Sequence, residues 1–262
     1  MNYGFYLSTA GAITGMRRLD TVANNLANST TVGFKADLMS IRARLPENLE
    51  QGGVYTDTNS ALDALGGGTL FEPNQIDLSQ GPLRETSNPL DVAIEGDGFF
   101  MLQQPKGVQG TAAADRLLTR AGNLTRDTEG RLVLATSGVP LLGSDGQPIV
   151  LPDDLSKVRI DQRGAIFQGT DQVGQLAVVM PADIANLRKE GRDALRLLGG
   201  KVKDAPADTV VHQKYLEDST VDAVATLAEL VKVSRGIEFS TRMMQTHDQM
   251  TGKLIDTFGR FG

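Results

Sequence analysis

The sequence predicts an α+β protein with N- and C-terminal α-helices forming a coiled coil and a central antiparallel β-rich domain. At both ends, apolar residues alternate at spacings of four and three, the period of a coiled-coil seam. Between the ends, short apolar runs are bounded by turn-forming residues, as in strands joined by tight turns. The resulting division is an N-terminal helix and turn (1–34), an extended glycine-rich linker (35–76), a β-rich outer domain (77–215) and a C-terminal helix (216–262).

The N-terminal helix is predicted from one apolar stripe, which Val22 widens. The seam of this stripe consists of Phe5, Thr9, Ala12, Met16, Leu19, Ala23 and Leu26. The helix is expected to end near Asn28, because residues 29–31 are Ser-Thr-Thr and Gly33 can adopt a left-handed turn. A lone helix with an uncovered seam is marginal in water, so we expect the seam to pack on another element or another chain.

Three asparagines, Asn24, Asn25 and Asn28, lie in the last turns of this helix. Asparagine is a poor residue for a helix interior, so its repetition needs a cause. One interpretation is helix termination. The other is that an asparagine near the seam fixes the register and the choice of partner helix, as single polar residues do in coiled coils. The sequence favours neither interpretation.

The C-terminal helix repeats the same spacing. Its seam consists of Ala223, Leu227, Leu230, Ser234, Ile237, Thr241 and Met244, and Ile255 and Phe258 rejoin it further along. Residues 218–220 are Asp-Ser-Thr, which are typical N-cap residues. We predict that the two seams together form an assembly interface.

The middle of the chain is predicted to be β-rich. Candidate strands lie at 90–94, 99–102, 132–134, 149–151, 165–167 and 176–180, and candidate turns lie at 95–98, 127–130, 144–146 and 161–164. Because such turns join strands tightly, we expect consecutive strands to be antiparallel neighbours. Residues 182–190 favour a short helix ended by Gly191. Residues 45–75 have the composition of a long linker or loosely held loop.

Composition excludes several classes of function. The net charge of −6 disfavours nucleic acid as a partner, and the absence of cysteine removes thiolate chemistry and the common zinc sites. The two histidines, His212 and His247, are too far apart in sequence to form a helical metal pair. No apolar run is long enough for a transmembrane segment, and the first residues do not have the pattern of a cleaved signal peptide. We assign no catalytic, cofactor-binding or metal-binding residue.

Several segments resemble the bacterial flagellar rod and hook proteins. Residues 19–28 and 31–35 read LDTVANNLAN and TVGFK, residues 88–100 read NPLDVAIEGDGFF, residues 118–123 read LTRAGN, residues 143–152 read GSDGQPIVLP, residues 215–219 read YLEDS and residues 248–250 read DQM. The likeness covers the chain from end to end. Within this family, the chain looks like the FlgF/FlgG group of basal-body rod proteins.

The resemblance implies a structural subunit of the flagellar rod, the driveshaft between motor and hook. In that family the terminal helices pair as a coiled coil lining a tube, and the β domain forms an outer layer. Implied partners are other flagellar rod and hook-basal-body subunits and the flagellar type III export apparatus. The implied location is the periplasmic rod of the basal body. The segment after Lys35 resembles the proximal-rod type, FlgF, more than the distal-rod type.

Alternatives remain at this point. Within the family, the chain could be a distal-rod or hook subunit. In a different class, it could be a cell-wall-acting β-rich enzyme, although the sequence lacks the histidine and carboxylate constellation that such an enzyme needs. A surface adhesin would share the β-rich composition but would not need matching seams at both ends.

Overall fold

The computed structural model describes residues 3–43, 68–104, 115–152, 158–199 and 201–259. It confirms a helix at each end of the chain and an antiparallel, β-rich region between them. The chain separates into two compact units. The helical unit comprises 1–27, 37–77 and 222–262, and the β unit comprises 28–36 and 78–221.

The helical unit contains helix α1 (Tyr3–Ala27) and helix α2 (Ala223–Gly259). Helix α1 ends within one residue of the predicted position. The start of α2 differs from the prediction, because its N-cap is Asp222 rather than one of residues 218–220. The Asp222 carboxylate accepts hydrogen bonds from the backbone N–H groups of Val224 at 2.9 Å and Ala225 at 3.0 Å. These bonds satisfy donors that have no partner inside the first turn of a helix.

Four short strands complete the described part of the helical unit. They are β1 (Asp37–Leu38), β2 (Ile41–Ala43), β3 (Thr69–Phe71) and β4 (Gln75–Ile76). Strand β1 pairs with β4, and β2 pairs with β3, both antiparallel. The described residues of the predicted linker 35–76 are therefore largely paired. Residues 44–67, which hold most of the predicted loop 45–75, lie outside the described residues.

The β unit contains the remaining described strands. They are β5 (Leu83–Glu85), β6 (Val92–Glu95), β7 (Phe99–Leu102), β8 (Arg116–Thr119), β9 (Leu124–Arg126), β10 (Leu132–Leu134), β11 (Val158–Ile160), β12 (Ala165–Gln168), β13 (Asp171–Gln175), β14 (Val178–Pro181), β15 (Leu187–Glu190), β16 (Ala194–Leu197), β17 (Val202–Asp204), β18 (Val210–Gln213) and β19 (Tyr215–Glu217). Every pair of these strands is antiparallel. The largest sheet has the order β15-β16-β8-β7-β14-β17, a second has the order β11-β12-β13, and the two-stranded pairs are β9–β10, β6–β18 and β5–β19.

The predicted turns are present, but one of them joins strands that do not pair. At 161–164, the Asp161 carboxylate accepts from the backbone N–H groups of Arg163 and Ala165, and Gly164 adopts φ +78° between the paired strands β11 and β12. The turn at 95–98 instead leads from β6 into another sheet, since β6 pairs with β18 while β7 pairs with β8 and β14. The expectation that consecutive strands are neighbours is wrong at this turn.

The helix predicted at 182–190 is also wrong. Only Ile184–Asn186 form a single 3₁₀ turn, capped by the Asp183 carboxylate, which accepts from Ala185 N at 3.0 Å. The next residues form edge strand β15, whose first residue, Leu187, is buried against the sheet. Gly191 then turns the chain into β16. Pairing along this sheet edge outweighs the weak local preference for a helix.

The core of the β unit lies between these sheets. It is built from apolar residues of most predicted strands, among them Leu90, Val92, Ile94, Phe100, Leu102, Leu124, Leu132, Leu134, Leu141, Leu151, Ile166 and Leu176. Glycine and proline supply the turns, while branched and aromatic side chains fill the interior. The β unit therefore has its own core, as a separately folding unit requires.

Candidate assembly interface

Helices α1 and α2 lie against each other and run in opposite directions. Near the start of α1, the Thr9 hydroxyl donates to Met244 Sδ at 3.3 Å. Nine residues further along α1, Arg18 forms an ion pair with Glu229, with 2.5 Å between Nη2 and Oε1. Residue numbers therefore rise along α1 as they fall along α2. Because both charged side chains of this ion pair are partly exposed, it contributes at most about 1 kcal/mol.

Small residues form the closest approach of the two helices. A Cβ added to Gly15 would lie 2.7 Å from Ile237 Cγ1, and a Cβ added to Gly11 would lie 3.4 Å from Ser240 Oγ. Ala12, between the two glycines, is only 4% exposed. The helix axes can approach closely here because side chains of this size fill so little space.

The predicted seam residues divide into three groups. Ala12 and Val22 are buried. The half-buried ones are Thr9, Leu19, Leu26, Leu230, Ser234, Ile237, Thr241 and Met244. The exposed ones are Phe5, Met16, Ala23, Ala223, Leu227 and Ile255. Phe258 belongs to α2, but its side chain lies outside the described residues.

The covered positions of α2 are 226, 229, 230, 233, 234, 237, 240, 241, 244 and 247. They include the predicted seam residues Leu230, Ser234, Ile237, Thr241 and Met244. The only buried position among them is Val233, and the covered face is displaced from Leu227 toward Thr226. Leu227 consequently faces away from α1, and Thr226 takes the inward position. The spacing in the sequence predicts the period of the covered face but not its centre, because two neighbouring faces of a helix share the same period.

Large apolar side chains lie on the outward surface of α2. They form a first patch of Val224, Leu227 and Val231 and a second patch of Phe239, Met243, Met250 and Leu254. Val224 is 80% exposed and Phe239 is 66% exposed. Within each patch the spacing of three, four or seven residues places the side chains on one side of the helix. Helix α1 likewise exposes Phe5, Tyr6, Leu7, Ile13 and Met16.

Helix α2 extends past the described start of α1. It has 37 residues against 25 in α1, and Thr9 of α1 lies level with Met244. Because α1 begins at Tyr3, the part of α2 beyond about residue 250 has no facing residue in the described part of α1. Residues 251–257 are all exposed, and Ile255 is 67% exposed. This end of α2 therefore presents apolar surface that the described chain does not cover.

Asn25 has a role that the sequence did not indicate. Its side-chain amide donates to the backbone carbonyl of Asp37 at 2.9 Å, and its carbonyl oxygen accepts from Asp37 N, also at 2.9 Å. The side chain thus replaces a backbone strand partner and fixes the start of β1 against α1. No local pattern predicts this contact, since Asp37 follows twelve residues later and beyond the end of the helix.

The other two asparagines differ from Asn25. Asn28 is buried in the β unit, where its backbone carbonyl accepts from Thr31 N at 3.1 Å and its side-chain oxygen accepts from the Thr31 hydroxyl at 3.2 Å. This geometry matches the interpretation of helix termination. Asn24 is exposed on α1. A role for Asn24 in choosing a partner stays a prediction.

Asn25→Ala is expected to lower the free energy of unfolding of the helical unit by about 2 kcal/mol. The substitution removes the two hydrogen bonds that the Asn25 side chain makes to the backbone N–H and carbonyl of Asp37. Thermal unfolding followed by circular dichroism at 222 nm measures the change. Asp20→Ala, at an exposed position of the same helix, is the matched control and should shift the stability by less than about 0.5 kcal/mol. Equal effects of the two substitutions would contradict the assigned role of Asn25.

Ionisable side chains in the described ranges do not gather into a recognisable metal site, as no group of three His, Asp or Glu side chains there could hold an ion. None of the described helices is long and apolar enough to cross a membrane. His212 lies beside an acidic side chain, since its Nε2 is 2.6 Å from Glu95 Oε2. The two side chains extend from the paired strands β18 and β6 at a partly exposed surface.

Three stretches of the chain match families of flagellar proteins. Residues 5–35 match the flagella basal body rod protein family, residues 93–168 match the flagellar hook protein FlgE/F/G D1 domain, and residues 212–257 match the flagellar basal body rod FlgEFG protein C-terminal family. The first and third matches contain most of α1 and α2. The second spans strands β7 to β12 of the β unit and most of β6.

Curated relatives match the chain along nearly its whole length. The flagellar basal-body rod protein FlgF of Caulobacter vibrioides is 28% identical over 260 residues, covering 99% of both chains. The flagellar basal-body rod protein FlgG of Bacillus subtilis is 28% identical over 274 residues, covering 95% of this chain and 98% of the relative. The FlgG of Agrobacterium fabrum is 29% identical, covering 91% and 94%.

The order of the matches follows the architecture: a rod-protein signature on α1, a D1-domain signature on the β unit and a rod-protein C-terminal signature on α2. The chain is also similar to both FlgF and FlgG proteins along nearly its whole length. The chain belongs to the flagellar rod and hook family, as a structural subunit of the basal-body rod in the FlgF/FlgG group.

Proposed function

We propose that this subunit assembles into the rod through the outward surfaces of α1 and α2. The observation that supports this proposal is the distribution of side-chain size. Gly11 and Gly15 form part of the contact inside the helix pair, while most large apolar side chains of α2, among them Leu227 and Phe239, are exposed outside it. In a helix pair that is complete by itself, the large side chains would lie inside.

The energetics favour contact with several neighbouring subunits. Full burial of a Val, Leu, Phe or Met side chain contributes about 1.5–3 kcal/mol. The two patches of α2 are already partly covered, so they retain on the order of 10 kcal/mol of hydrophobic free energy. Association costs about 4–15 kcal/mol of free energy, because the subunit loses translational and rotational freedom. A contact with one neighbour is therefore weak, whereas a site on a growing rod that offers several neighbours binds firmly.

The geometry of such contacts is that of a helical filament. Each patch of one subunit meets a different surface on the next, and repetition of one rotation and one rise builds a tube. We infer that the helices of adjacent subunits pack in coiled-coil fashion around this tube and transmit torque along it. The predicted assembly residues Phe5, Met16, Leu227 and Ile255 are exposed and suited to such contacts.

Within the group, we infer the FlgF type, which occupies the proximal rod. FlgF relatives from Caulobacter vibrioides and Rhizobium meliloti cover 99% of this chain. The FlgG relatives from Bacillus subtilis and Agrobacterium fabrum cover 95% and 91%. As for other flagellar rod subunits, we further infer a periplasmic position in the basal body and delivery by the flagellar type III export apparatus.

Leu227→Glu is expected to abolish rod assembly, because it places a charge in the first apolar patch of α2. The test uses cells whose only copy of the subunit carries the substitution. Electron microscopy of purified basal bodies should show no completed rods or hooks, and the cells should not swim. The purified variant should remain folded, since glutamate is a good helix former and Leu227 is 52% exposed.

The matched control is Ala228→Glu, which adds the same charge at the next residue, about 100° around the helix from Leu227. Ala228 is also exposed, and its substitution should leave rods and swimming intact. Normal rods in the Leu227→Glu strain would contradict the proposed function. Loss of rods in both strains would show that added charge on α2, rather than the apolar patch, is responsible.

A further inference from the structure

A fully buried carboxylate, that of Glu217, joins three separate segments of the β unit. Glu217 Oε1 accepts from Lys35 Nζ at 2.6 Å and from the backbone N–H of Gly81 at 2.9 Å. Glu217 Oε2 accepts from Arg120 Nη1 at 3.2 Å. The side chains of Glu217, Lys35 and Arg120 are at most 3% exposed. We call these three residues the Glu217 cluster.

The two cations of the cluster extend the network. Lys35 Nζ also donates to the carbonyl of Ser79 at 2.5 Å. Arg120 Nη2 donates to the carbonyl of Gly96 at 2.8 Å, and the Arg120 guanidinium lies 5.1 Å from the ring centre of Phe99. Such charge-assisted bonds are short and directional, so they fix the positions of the groups they join.

Backbone bonds join the same segments. The Gly33 N–H donates to the Glu217 carbonyl at 2.7 Å, and the Thr220 N–H donates to the Phe34 carbonyl at 3.1 Å. The Ala36 N–H donates to the Thr220 hydroxyl at 2.9 Å. The segment that follows α1 in the chain is therefore paired, residue by residue, with the segment that precedes α2.

The position of this cluster in the chain gives it a particular importance. The chain passes between the helical unit and the β unit at four points: 27/28, 36/37, 77/78 and 221/222. Gly33 and Lys35 lie between the first two points. Ser79 and Gly81 lie within the first four residues after the third, and Glu217 lies four residues before Val221, at the fourth. The Glu217 cluster thus joins the segment 28–36, which runs between the first two crossings, to residues near the other two.

We propose that the Glu217 cluster is a clamp that carries mechanical force through the β unit. This inference rests on the proposed function, in which torque passes through the rod. Force that reaches the β unit from the helical unit along the chain enters through these four crossings. Because one carboxylate ties the adjacent segments together, a pull on one crossing is shared by the others. An apolar contact in this place would resist separation but would permit sliding, since it has no preferred direction.

The test compares Glu217→Gln with Asp218→Asn in cells whose only copy of the subunit carries the change. Glu217→Gln keeps the size of the side chain, removes its charge and directs an amide N–H toward Lys35, Arg120 or Gly81. Asp218→Asn is the matched control, because Asp218 is the next residue and its side chain forms an exposed ion pair with Arg84. The readouts are the number of hooks per cell and the rotation of beads on flagellar stubs at stepwise higher viscosity.

We expect the Glu217→Gln cells to form hooks in normal number but to stall or lose filaments several-fold more often at high viscosity, while Asp218→Asn cells match the wild type. Rotation of Glu217→Gln cells that equals the control at every viscosity overturns the inference. Missing hooks with a folded purified subunit also overturn it, since the cluster would then act in assembly.

If purified Glu217→Gln does not fold, Lys35→Met takes its place, because this change leaves Arg120 and Gly81 on the carboxylate. For Lys35→Met, too, rotation equal to the control at every viscosity, or missing hooks with a folded subunit, overturns the inference. A failure of the proposed function remains distinguishable, because it appears as normal hooks in the Leu227→Glu cells. A failure of the clamp inference appears instead in the cluster variants, as rotation equal to the control at every viscosity or as missing hooks with a folded subunit.

Discussion

Gly122→Ala is expected to unfold the β unit or to lower its free energy of unfolding by at least about 4 kcal/mol. A Cβ at this position would lie 1.6 Å from the carbonyl oxygen of Val92 and 2.7 Å from its carbonyl carbon. Both atoms belong to backbone, and Val92 is fully buried in strand β6. The backbone of Val92 also donates from its N–H to the Gly122 carbonyl at 3.0 Å. Neither segment can move away without breaking this bond and displacing core residues.

Limited proteolysis with intact-mass analysis, together with thermal unfolding, measures this effect. The wild-type β unit should survive as a protected fragment, and the Gly122→Ala fragment should be degraded or should melt roughly 10 °C lower. Gly236→Ala is the matched control, because a Cβ at Gly236 in α2 meets nothing within 4 Å. That substitution should stabilise α2 by up to about 1 kcal/mol. A Gly122→Ala protein as stable as the control would contradict the described packing.

Local sequence signals placed most strands of the β unit but not their partners. The predicted runs 99–102 and 132–134 coincide with β7 and β10, because the turns 95–98 and 127–130, which contain glycine and aspartate, come just before them. Pairing depends on residues far apart in the chain. Strand β6 pairs with β18, whose residues come more than a hundred positions later, so no turn motif could have indicated the partner.

The helix seams show the same limit at a finer scale. The spacing of apolar residues predicted two helices and their period, yet the large residue Leu227 faces outward and the small residue Thr226 faces inward. When a helix contact is predicted from sequence, its seam is usually assigned to the largest apolar residues. Here Gly11 and Gly15, which carry almost no hydrophobic signal, provide the α1 side of the contact with Ser240 and Ile237.

The Glu217 cluster could not be predicted as a unit. Lys35, Arg120 and Glu217 each lie in a segment by which the chain resembles the flagellar rod and hook proteins. Separately, each reads as a charged residue near a turn or strand end. Lys35 and Glu217 are 182 residues apart, and only the folded chain shows that they share one buried site. The resemblance to a family therefore singled out the segments that contain these residues, but only the folded structure shows that the three residues act together.

Gly15→Leu is expected to separate α1 from α2 and to cost the helical unit about 3 kcal/mol. The added side chain would occupy the space of Ile237, since even a Cβ would lie 2.7 Å from Ile237 Cγ1. A disulfide provides the measurement, because the natural chain has no cysteine. With cysteines at Gly11 and Ser240, the sulfur atoms can meet, since a Cβ at Gly11 lies 3.4 Å from Ser240 Oγ.

The purified Gly11→Cys, Ser240→Cys subunit should cross-link rapidly under a mild oxidant. Addition of Gly15→Leu should slow this cross-linking at least about tenfold. A tenfold slower reaction is expected when the helix pairing that brings the two cysteines together is weakened by more than about 1.4 kcal/mol. Ile13→Leu is the matched control, because Ile13 lies on the same helix but is 48% exposed. It should leave the cross-linking rate unchanged. Equal cross-linking rates with and without Gly15→Leu would show that the glycine contact does not hold the helix pair together. The packing of small residues inside the pair would then not explain why the large apolar side chains lie outside it.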